Sequence, residues 1–338
     1  MSKRAITDSL KNAGKLVVNT LISNVKGADA QKCANHILKV FDHNVAGGKL
    51  IRSRLLLDSY TALDPAATLR RLENVKQVAA ALEILQSFFL VMDDIMDQSQ
   101  TRRGRPCWYA VHGVGLNAIN DALMLESAVD IIIRDAVQCD PNRSLIKDAI
   151  CKTKQITIMG QMLDMNSSKL EDCTWKRYEN IVRHKTSYYS FFAPLHLALL
   201  LADERAFDKE IMRIAIKLGY LFQAQDDYLD CFGNASVTGK VGTDLRDGKC
   251  TWITCKTKEK VLSYPSEKKI LQENFGVPQE SAEVKLKQAL VTLGIKEDFE
   301  TFQKASVSDL IIDINTMKCS YLKPVLHNFL DEISVRFK

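Results

Sequence analysis

The sequence predicts an all-α protein. Turn-forming residues are few, with 15 Gly and 7 Pro among 338 residues, whereas turn-dense β proteins need both residues for their corners. Long stretches place apolar residues at steps of three and four, which is the spacing of helices. Gly- and Pro-containing breaks separate those stretches. We therefore expect about ten or more helices in one bundle, forming a single domain over residues 1–338.

Two stretches carry the clearest helical pattern. They run from Leu72 to Met92 and from Ile211 to Phe222. Both are apolar beyond a single stripe, which is typical of helices buried on several sides. Breaks that end or separate helices are predicted at residues 47–48, 63–65, 103–106, 139–142, 233–234, 264–265 and 276–278.

The charge balance indicates no nucleic-acid partner. The chain has 46 Lys and Arg against 41 Asp and Glu, a net charge of +5, and no run of five basic residues. Nine Cys without a C-x-x-C pair favour reduced thiols in a cytoplasmic protein.

Two segments bear on membranes and targeting. The most apolar segment, Tyr188 to Ala202, is too short to span a bilayer. The basic, faintly amphipathic N-terminus is compatible with a weak transit peptide. Asp8 and the lack of an apolar run favour no targeting, and we expect a cytoplasmic location.

The first strong functional signal is an aspartate motif that ends the first apolar stretch. Asp93 and Asp97 are four residues apart, so both lie on one helix face, with Asp94 about 100° round the axis. Like charges at this spacing repel, and carboxylates resist desolvation at an apolar helix end. A Mg²⁺ ion shared with a substrate phosphate would stabilise them. For one such motif alone, a solvated helix end explains the pattern equally well.

A second copy of the motif makes coincidence a poor explanation. Asp226, Asp227 and Asp230 repeat the spacing at the end of the second apolar stretch. Two such helices would place carboxylates around one cavity, where only bound metal ions and phosphate would stabilise them. The sequence therefore predicts a metal-dependent diphosphate site.

Basic residues follow both motifs. Arg102 and Arg103 come after the first, Lys240 and Lys249 come after the second, and Lys49 and Arg52 lie near the start. Each of these residues, taken singly, is better explained as a charged side chain in a solvated loop. Gly47-Gly48-Lys49 lacks the spacing of a nucleotide-binding P-loop. Together with the aspartates, these residues indicate two diphosphate sites, one metal-bound and one held by Lys and Arg.

The chain resembles the trans-isoprenyl diphosphate synthases, especially the short-chain farnesyl and geranyl diphosphate synthases of animals, insects included. The resemblance covers about residues 47–249 and is weaker at both ends. It rests on DDIMDQSQTRRGRPCWY, GQMLD, HKTSYYSF and FQAQDDYLDCFG in this order, followed by SVTGKVGTD and DGKC. It implies an all-α bundle around a deep central cavity, of the isoprenoid synthase type, in a homodimer. It also implies condensation of isopentenyl diphosphate with an allylic diphosphate.

The same resemblance implies residue roles. Asp93, Asp97 and Asp226 would bind three Mg²⁺ ions, for which Mn²⁺ or Co²⁺ could substitute, and Asp94, Asp227 and Asp230 would support them. Arg102, Lys185, Lys240 and Lys249 would contact the allylic diphosphate. The isopentenyl diphosphate site would comprise Lys49, Arg52, Gln86 and Arg103. The reaction space would be lined by Thr186, Tyr189, Phe222 and Gln223. Among these residues, Lys185, Thr186, Gln223, Asp93 and Asp226 are the expected catalytic set.

Phe88 and Phe89 precede Asp93 by five and four residues, so Phe89 lies one turn below the aspartate. Ordinary core packing explains two such aromatic residues. In the family that the chain resembles, bulky side chains at these two positions close the bottom of the cavity and limit the length of the product. This implies products of C10 to C15. Met92 is another candidate, although Met commonly fills gaps in cores.

The chain departs from the family pattern mainly on the isopentenyl diphosphate side. Ile51 and Ser53 stand where Asn and Gly are usual, Gly248 replaces a polar residue, and the C-terminus lacks the usual basic tail. These losses motivate an alternative, an insect-type terpene synthase that ionises geranyl or farnesyl diphosphate to a hydrocarbon or alcohol. The synthase is favoured because Lys49, Arg52, Gln86 and Arg103 are all present. A non-catalytic regulatory subunit is a third reading, against which the intact aspartates speak.

Overall fold

The computed structural model describes residues 3–45, 47–233 and 242–334. Most of this chain is helical, and the all-α prediction is confirmed. The α-helices are α1 Lys3–Leu21, α2 Gly27–Asn44, α3 Ile51–Leu63, α4 Leu69–Met96, α5 Asn117–Ala136, α6 Arg143–Met165, α7 Trp175–Ile181, α8 Ala193–Leu201, α9 Asp208–Phe232, α10 Trp252–Lys260, α11 Pro265–Asn274, α12 Glu280–Thr292, α13 Ile295–Thr316 and α14 Lys323–Ser334. A π-helix, Val182–Phe192, joins α7 to α8.

Local sequence explains where several helices begin. Thr68, Thr174 and Thr251 precede α4, α7 and α10, and each threonine hydroxyl accepts a hydrogen bond from a backbone N–H of the first turn. Such caps satisfy donors that have no partner inside the helix. Helix α11 starts with Pro265, which suits a first turn because proline has no N–H to satisfy. The predicted breaks at residues 63–65, 139–142, 264–265 and 276–278 all lie at helix ends.

One compact unit comprises the chain up to Ile150 together with Pro194–Ala206. Helix α4 lies at its centre and packs on α1, α3 and α5. Residues Val78 to Leu82 are at most 1% exposed, so α4 is buried on several sides, as the pattern from Leu72 to Met92 predicts. This packing holds the end of α4, and with it the first aspartate motif.

The other unit comprises Cys151–Ala193 and the chain from Phe207 onward. Helix α9 packs against the π-helix, α10 and α13. Aromatic rings support its C-terminal half: Tyr228 stacks on Phe299 at 4.4 Å between centroids, and Phe299 meets Trp252 edge-on at 5.3 Å. The second aspartate motif is therefore built on a well-packed helix. The prediction that residues 1–338 form a single domain stays a prediction.

Helical periodicity alone did not predict a small hairpin after α4. Strands β1 Thr101–Arg102 and β2 Arg105–Pro106 pair antiparallel around Arg103 and Gly104. Both turn residues have positive φ, 55° and 73°, as a two-residue type I′ turn requires. The break predicted at residues 103–106 is therefore a turn that presents arginines.

None of the helices that the structure describes is long and apolar enough to cross a membrane. All nine cysteines lie in the described part of the chain, and none of them forms a disulfide.

Candidate active site

The first aspartate motif lies at the C-terminal end of α4. Asp93 and Asp94 belong to the last turn and Asp97 caps the helix, its N–H bonded to the Asp93 carbonyl at 2.8 Å. This last turn contains no basic residue. Carboxylates at this end are disfavoured because the helix dipole is negative there. A cation bound to these carboxylates would relieve the repulsion.

Arg102 joins the hairpin to this motif. Its guanidinium donates to Asp94 at 2.6 Å and to Asp93 at 3.3 Å. Asp94 is 4% exposed. Burial raises the pKa of Asp94 above its usual value, although Arg102 and the Cys107 thiol stabilise its charge. Asp94 is therefore held by protein groups, whereas Asp93 is half-buried and more accessible.

The second motif repeats this division within α9. Asp227 is 3% exposed, and it accepts hydrogen bonds from the Trp252 N–H at 2.9 Å and the Gln223 amide at 2.8 Å. Burial raises the pKa of Asp227 to about 7 despite these two donors. Asp230 accepts from the Asp244 N–H at 2.9 Å. Asp226 is only half-buried.

The donor set suits Mg²⁺, which takes oxygen ligands and commonly combines one or two carboxylates with substrate phosphate. In both motifs the second aspartate is buried among protein donors, while the first is more accessible. Within the described ranges, no group of three or more His, Cys, Asp or Glu side chains could hold a metal ion by itself.

Two lysines that the sequence places far apart meet at a buried carboxylate. The ammonium groups of Lys185 and Lys249 lie 2.6 and 3.1 Å from the same oxygen of Asp164. Burial alone would raise the pKa of Asp164, but the two ammonium groups outweigh it and lower that pKa. Two ammonium groups beside one carboxylate leave a net positive charge, which favours binding of an anion. Asp164 ends the GQMLD segment, and the sequence reasoning assigned it no role.

Lys185 and Thr186 lie within the π-helix, a rare conformation that is frequent at functional sites. Two glycines permit close packing around it. A Cβ on Gly160 would overlap the backbone nitrogen of Lys185, and a Cβ on Gly219 would overlap the Ser187 side chain. Helices α6 and α9 therefore approach the π-helix more closely than any residue with a side chain would allow.

We expect Gly160→Ala to displace Lys185 and to lower both turnover and stability. Overpacking at a site without room costs about 1–3 kcal/mol, which chemical denaturation would measure. Gly14→Ala in α1 is the matched control, because a Cβ there lies 3.3 Å from the Phe41 ring, which can adjust. Equal effects of the two substitutions would contradict the proposed close approach.

A chain of hydrogen bonds orients the side-chain amide of Gln223, a member of the expected catalytic set. The Thr186 hydroxyl donates to Gln223 Oε1 at 2.5 Å, and Gln223 Nε2 donates to Asp227 at 2.8 Å. This direction of donation points the Gln223 carbonyl oxygen toward Thr186. Phe222 is buried and packs edge-on against Phe191 at 5.4 Å, while Tyr189 is half-buried in the π-helix.

The predicted residues of the isopentenyl diphosphate site lie in the first unit. Arg52 is 6% exposed and donates to Gln86 at 2.7 Å. A Cβ on Gly48 would lie 2.9 Å from the Arg103 guanidinium, so this glycine gives the arginine room. Burial lowers the pKa of Arg103; nearby Glu83 opposes that shift, and Arg102 and Arg52 add to it. The clustered positive charge of these guanidinium groups favours binding of an anion. Lys49 is exposed just before α3.

The departures Ile51 and Ser53 fall in the first turn of α3. Ser53 is fully buried, and its N–H and hydroxyl both donate to Glu83, at 3.0 and 2.9 Å. This serine satisfies a buried carboxylate of α4 and leaves the Arg52–Gln86 contact in place. The departure at residue 53 is therefore accommodated without loss of the basic residues.

Phe88 and Phe89 lie in α4 with ring centroids 5.0 Å apart. Phe88 is buried and Phe89 half-buried. Lys240 and the C-terminal residues 335–338 lie outside the described residues.

Residues 34–293 match the family described as Polyprenyl synthetase. The chain is 38% identical over 310 residues to farnesyl pyrophosphate synthase 1 of Parthenium argentatum, covering 89% of each chain. It is 34% identical over 322 residues to farnesyl pyrophosphate synthase of Candida albicans, covering 91% of each. A farnesyl diphosphate synthase of T. brucei complexed with risedronate matches with a TM-score of 0.93 over 100% of both chains, at 24% identity. The match over most of its length and these identities show that the chain belongs to the polyprenyl synthetase family.

Proposed function

We propose that this chain condenses isopentenyl diphosphate with dimethylallyl or geranyl diphosphate to give geranyl or farnesyl diphosphate. The chain is a prenyltransferase of the farnesyl diphosphate synthase type, as its 34–38% identity to such enzymes over most of its length supports. The observation that carries the proposal is that both aspartate motifs are intact, each in the C-terminal part of a well-packed helix.

We propose Asp93, Asp97 and Asp226 as ligands of Mg²⁺, with Asp94 and Asp230 in support. The half-burial of the first three supports this division, since Asp94 and Asp230 are buried. When bound, Mg²⁺ would neutralise charge on the departing diphosphate. The number of ions, three, and the use of Mn²⁺ or Co²⁺ instead belong to the same proposal.

Basic residues would hold the two diphosphates. Arg102, Lys185 and Lys249, together with Lys240, would bind the allylic diphosphate, and the net positive charge of the two lysines with Asp164 supports this. Lys49, Arg52, Gln86 and Arg103 would bind isopentenyl diphosphate. An arginine side chain stays positively charged, which suits a residue that must bind phosphate throughout the reaction.

Dipoles of the second unit would stabilise the allylic cation. The Lys185 carbonyl, the Thr186 hydroxyl and the Gln223 amide are the candidates, and the bonds from Thr186 to Gln223 and on to Asp227 fix the last two. Groups oriented in advance stabilise developing charge without reorganisation. The double bond of isopentenyl diphosphate then attacks, and released pyrophosphate removes the proton. Buried aromatic walls such as Phe222 would exclude water, which would otherwise capture the cation.

One observation favours a second function, that of a terpene synthase. Ile51 and Ser53 replace usual residues beside Arg52. Such an enzyme would ionise geranyl or farnesyl diphosphate without using isopentenyl diphosphate. The Arg52–Gln86 bond and the position of Arg103 against Gly48 argue for the condensation.

A three-part assay separates these functions. The purified protein with Mg²⁺ receives isopentenyl plus dimethylallyl diphosphate, geranyl diphosphate alone, or farnesyl diphosphate alone. We expect a prenyl diphosphate from the first mixture only. A volatile hydrocarbon or alcohol from a single substrate would support the terpene synthase, and no turnover would support the regulatory subunit.

We also propose a homodimer in the cytoplasm. Helix α6 exposes Ile158, Met159 and Met162, each between 46% and 51%. Exposed apolar side chains on helices mark association surfaces when they form patches. The distribution between monomer and dimer is measurable by analytical ultracentrifugation.

A further inference from the structure

Three consecutive residues after the arginine hairpin each bond to a different helix. The Pro106 carbonyl accepts a hydrogen bond from His43 Nε2 of α2 at 3.0 Å. The Cys107 thiol hydrogen-bonds to Asp94 of α4. The Trp108 indole N–H donates to Asp121 of α5 at 2.8 Å. This segment, Pro106–Trp108, thus ties the hairpin to three helices of the first unit.

One face of α2 packs against this segment. His36, Lys39 and His43 are spaced by three and four residues, so they lie on the same side of the helix. His43 packs on Trp108 at 4.9 Å between centroids, and the Lys39 ammonium lies 5.7 Å from the centre of that ring. His36 donates to Asp121 at 2.7 Å.

The hairpin depends on such outside contacts for its position. Each strand has two residues, paired Thr101 with Pro106 and Arg102 with Arg105. A two-stranded hairpin by itself is marginally stable in water. Because Pro106 pairs directly with Thr101, displacement of Pro106 moves the turn residue Arg103, whereas Arg102 is held by its bonds to Asp94 and Asp93.

We propose that His43 is a positioning residue that sets the place of Arg103 through the Pro106 carbonyl. A carbonyl oxygen only accepts, so His43 Nε2 carries the proton of this bond. The imidazole of His43 packs against the Trp108 ring, and the hydrogen bond from the indole N–H to Asp121 holds that ring in place. The inference rests on the proposed function, in which Arg103 binds isopentenyl diphosphate.

Steady-state kinetics with isopentenyl and geranyl diphosphates test this role. We expect His43→Leu to raise KM for isopentenyl diphosphate by about 5- to 10-fold, the equivalent of one lost hydrogen bond, while kcat changes less than about 2-fold. His43→Gln, whose amide can still donate to Pro106, should restore most of the affinity. His327→Leu is the control, since His327 makes a similar bond, to Asn315 at 2.9 Å, in the other unit.

A double-mutant cycle shows whether His43 acts through Arg103. In an Arg103→Met background, His43→Leu should change KM for isopentenyl diphosphate by less than about 2-fold, because effects on one contact do not add. Full additivity would overturn the proposal, as would a His43→Leu enzyme with an unchanged KM. If His43→Leu does not fold, Trp108→Phe, which lacks the indole N–H, should show the same rise. A wild-type protein that does not use isopentenyl diphosphate would refute the proposed function itself.

Discussion

Asp93→Ala should lower turnover by at least about 10²- to 10³-fold, the usual effect of removing one preorganised electrostatic contact to a transition state. The reason is that Asp93 is half-buried and more accessible than Asp94, which is buried beside Arg102. Prenyl diphosphate formation at saturating Mg²⁺ and substrates measures the loss. Circular dichroism should show unchanged helix content, because α4 is held by its buried apolar residues.

Asp148→Ala is the matched control for this substitution. Asp148 is an exposed aspartate in α6, so the same change there should leave turnover within about 2-fold of wild type. An Asp93→Ala enzyme with near-normal turnover would disprove the metal-ligand assignment. Loss of turnover together with loss of helix content would point to misfolding instead, and Asp93→Asn would then separate the two.

Phe89→Ala should lengthen the product, and Phe88→Ala together with it should lengthen the product further. The rings lie four and five residues before Asp93 in α4, 5.0 Å apart. A prenyl chain that grows along α4 away from its diphosphate would meet Phe89 about one turn below the aspartate. Removing the ring leaves space for at least one further isoprene unit, and chromatography of the dephosphorylated products measures this.

Loss of an aromatic ring also destabilises the protein, so product length needs its own control. Phe302→Leu removes a half-buried ring from the aromatic cluster around Trp252. It should lower the free energy of unfolding and leave the product length unchanged. Unchanged products from the Phe88 and Phe89 variants would mean that these rings are ordinary core, as their position in α4 also allows.

Helix positions were the most predictable part of the fold. Periodicity located the stretches from Leu72 to Met92 and from Ile211 to Phe222 inside α4 and α9. Every predicted break in the described chain lies at a helix end or between two helices. Both signals are local, since they depend on which residues share a helix face and which residues end a helix.

The missed features depend on contacts between distant parts of the chain. The hairpin has two-residue strands, too short for any alternation to show. The π-helix needs Gly160 and Gly219, which approach it from α6 and α9. Asp164 shows its role only where Lys185 and Lys249 converge on it. A lone carboxylate gives no such signal in a sequence.

For the two aspartate motifs, the spacing of residues in the sequence and the burial of side chains in the structure answer different questions. The repeated spacing indicated carboxylates suited to a metal. Spacing alone did not show that Asp94 and Asp227 are buried among protein donors while Asp93 and Asp226 stay more accessible. Arg102 in the hairpin bonds to Asp94 and Trp252 at the start of α10 bonds to Asp227, and both lie outside the motifs in the sequence.

Incorporation of labelled isopentenyl diphosphate tests the condensation most directly. The purified chain is incubated with Mg²⁺, geranyl diphosphate and isopentenyl diphosphate labelled with ¹⁴C, and the product is separated before and after phosphatase treatment. We predict label in farnesyl diphosphate, released as farnesol by phosphatase, and its absence when Mg²⁺ is chelated. Consumption of geranyl diphosphate with no label in any prenyl product would contradict the proposed condensation.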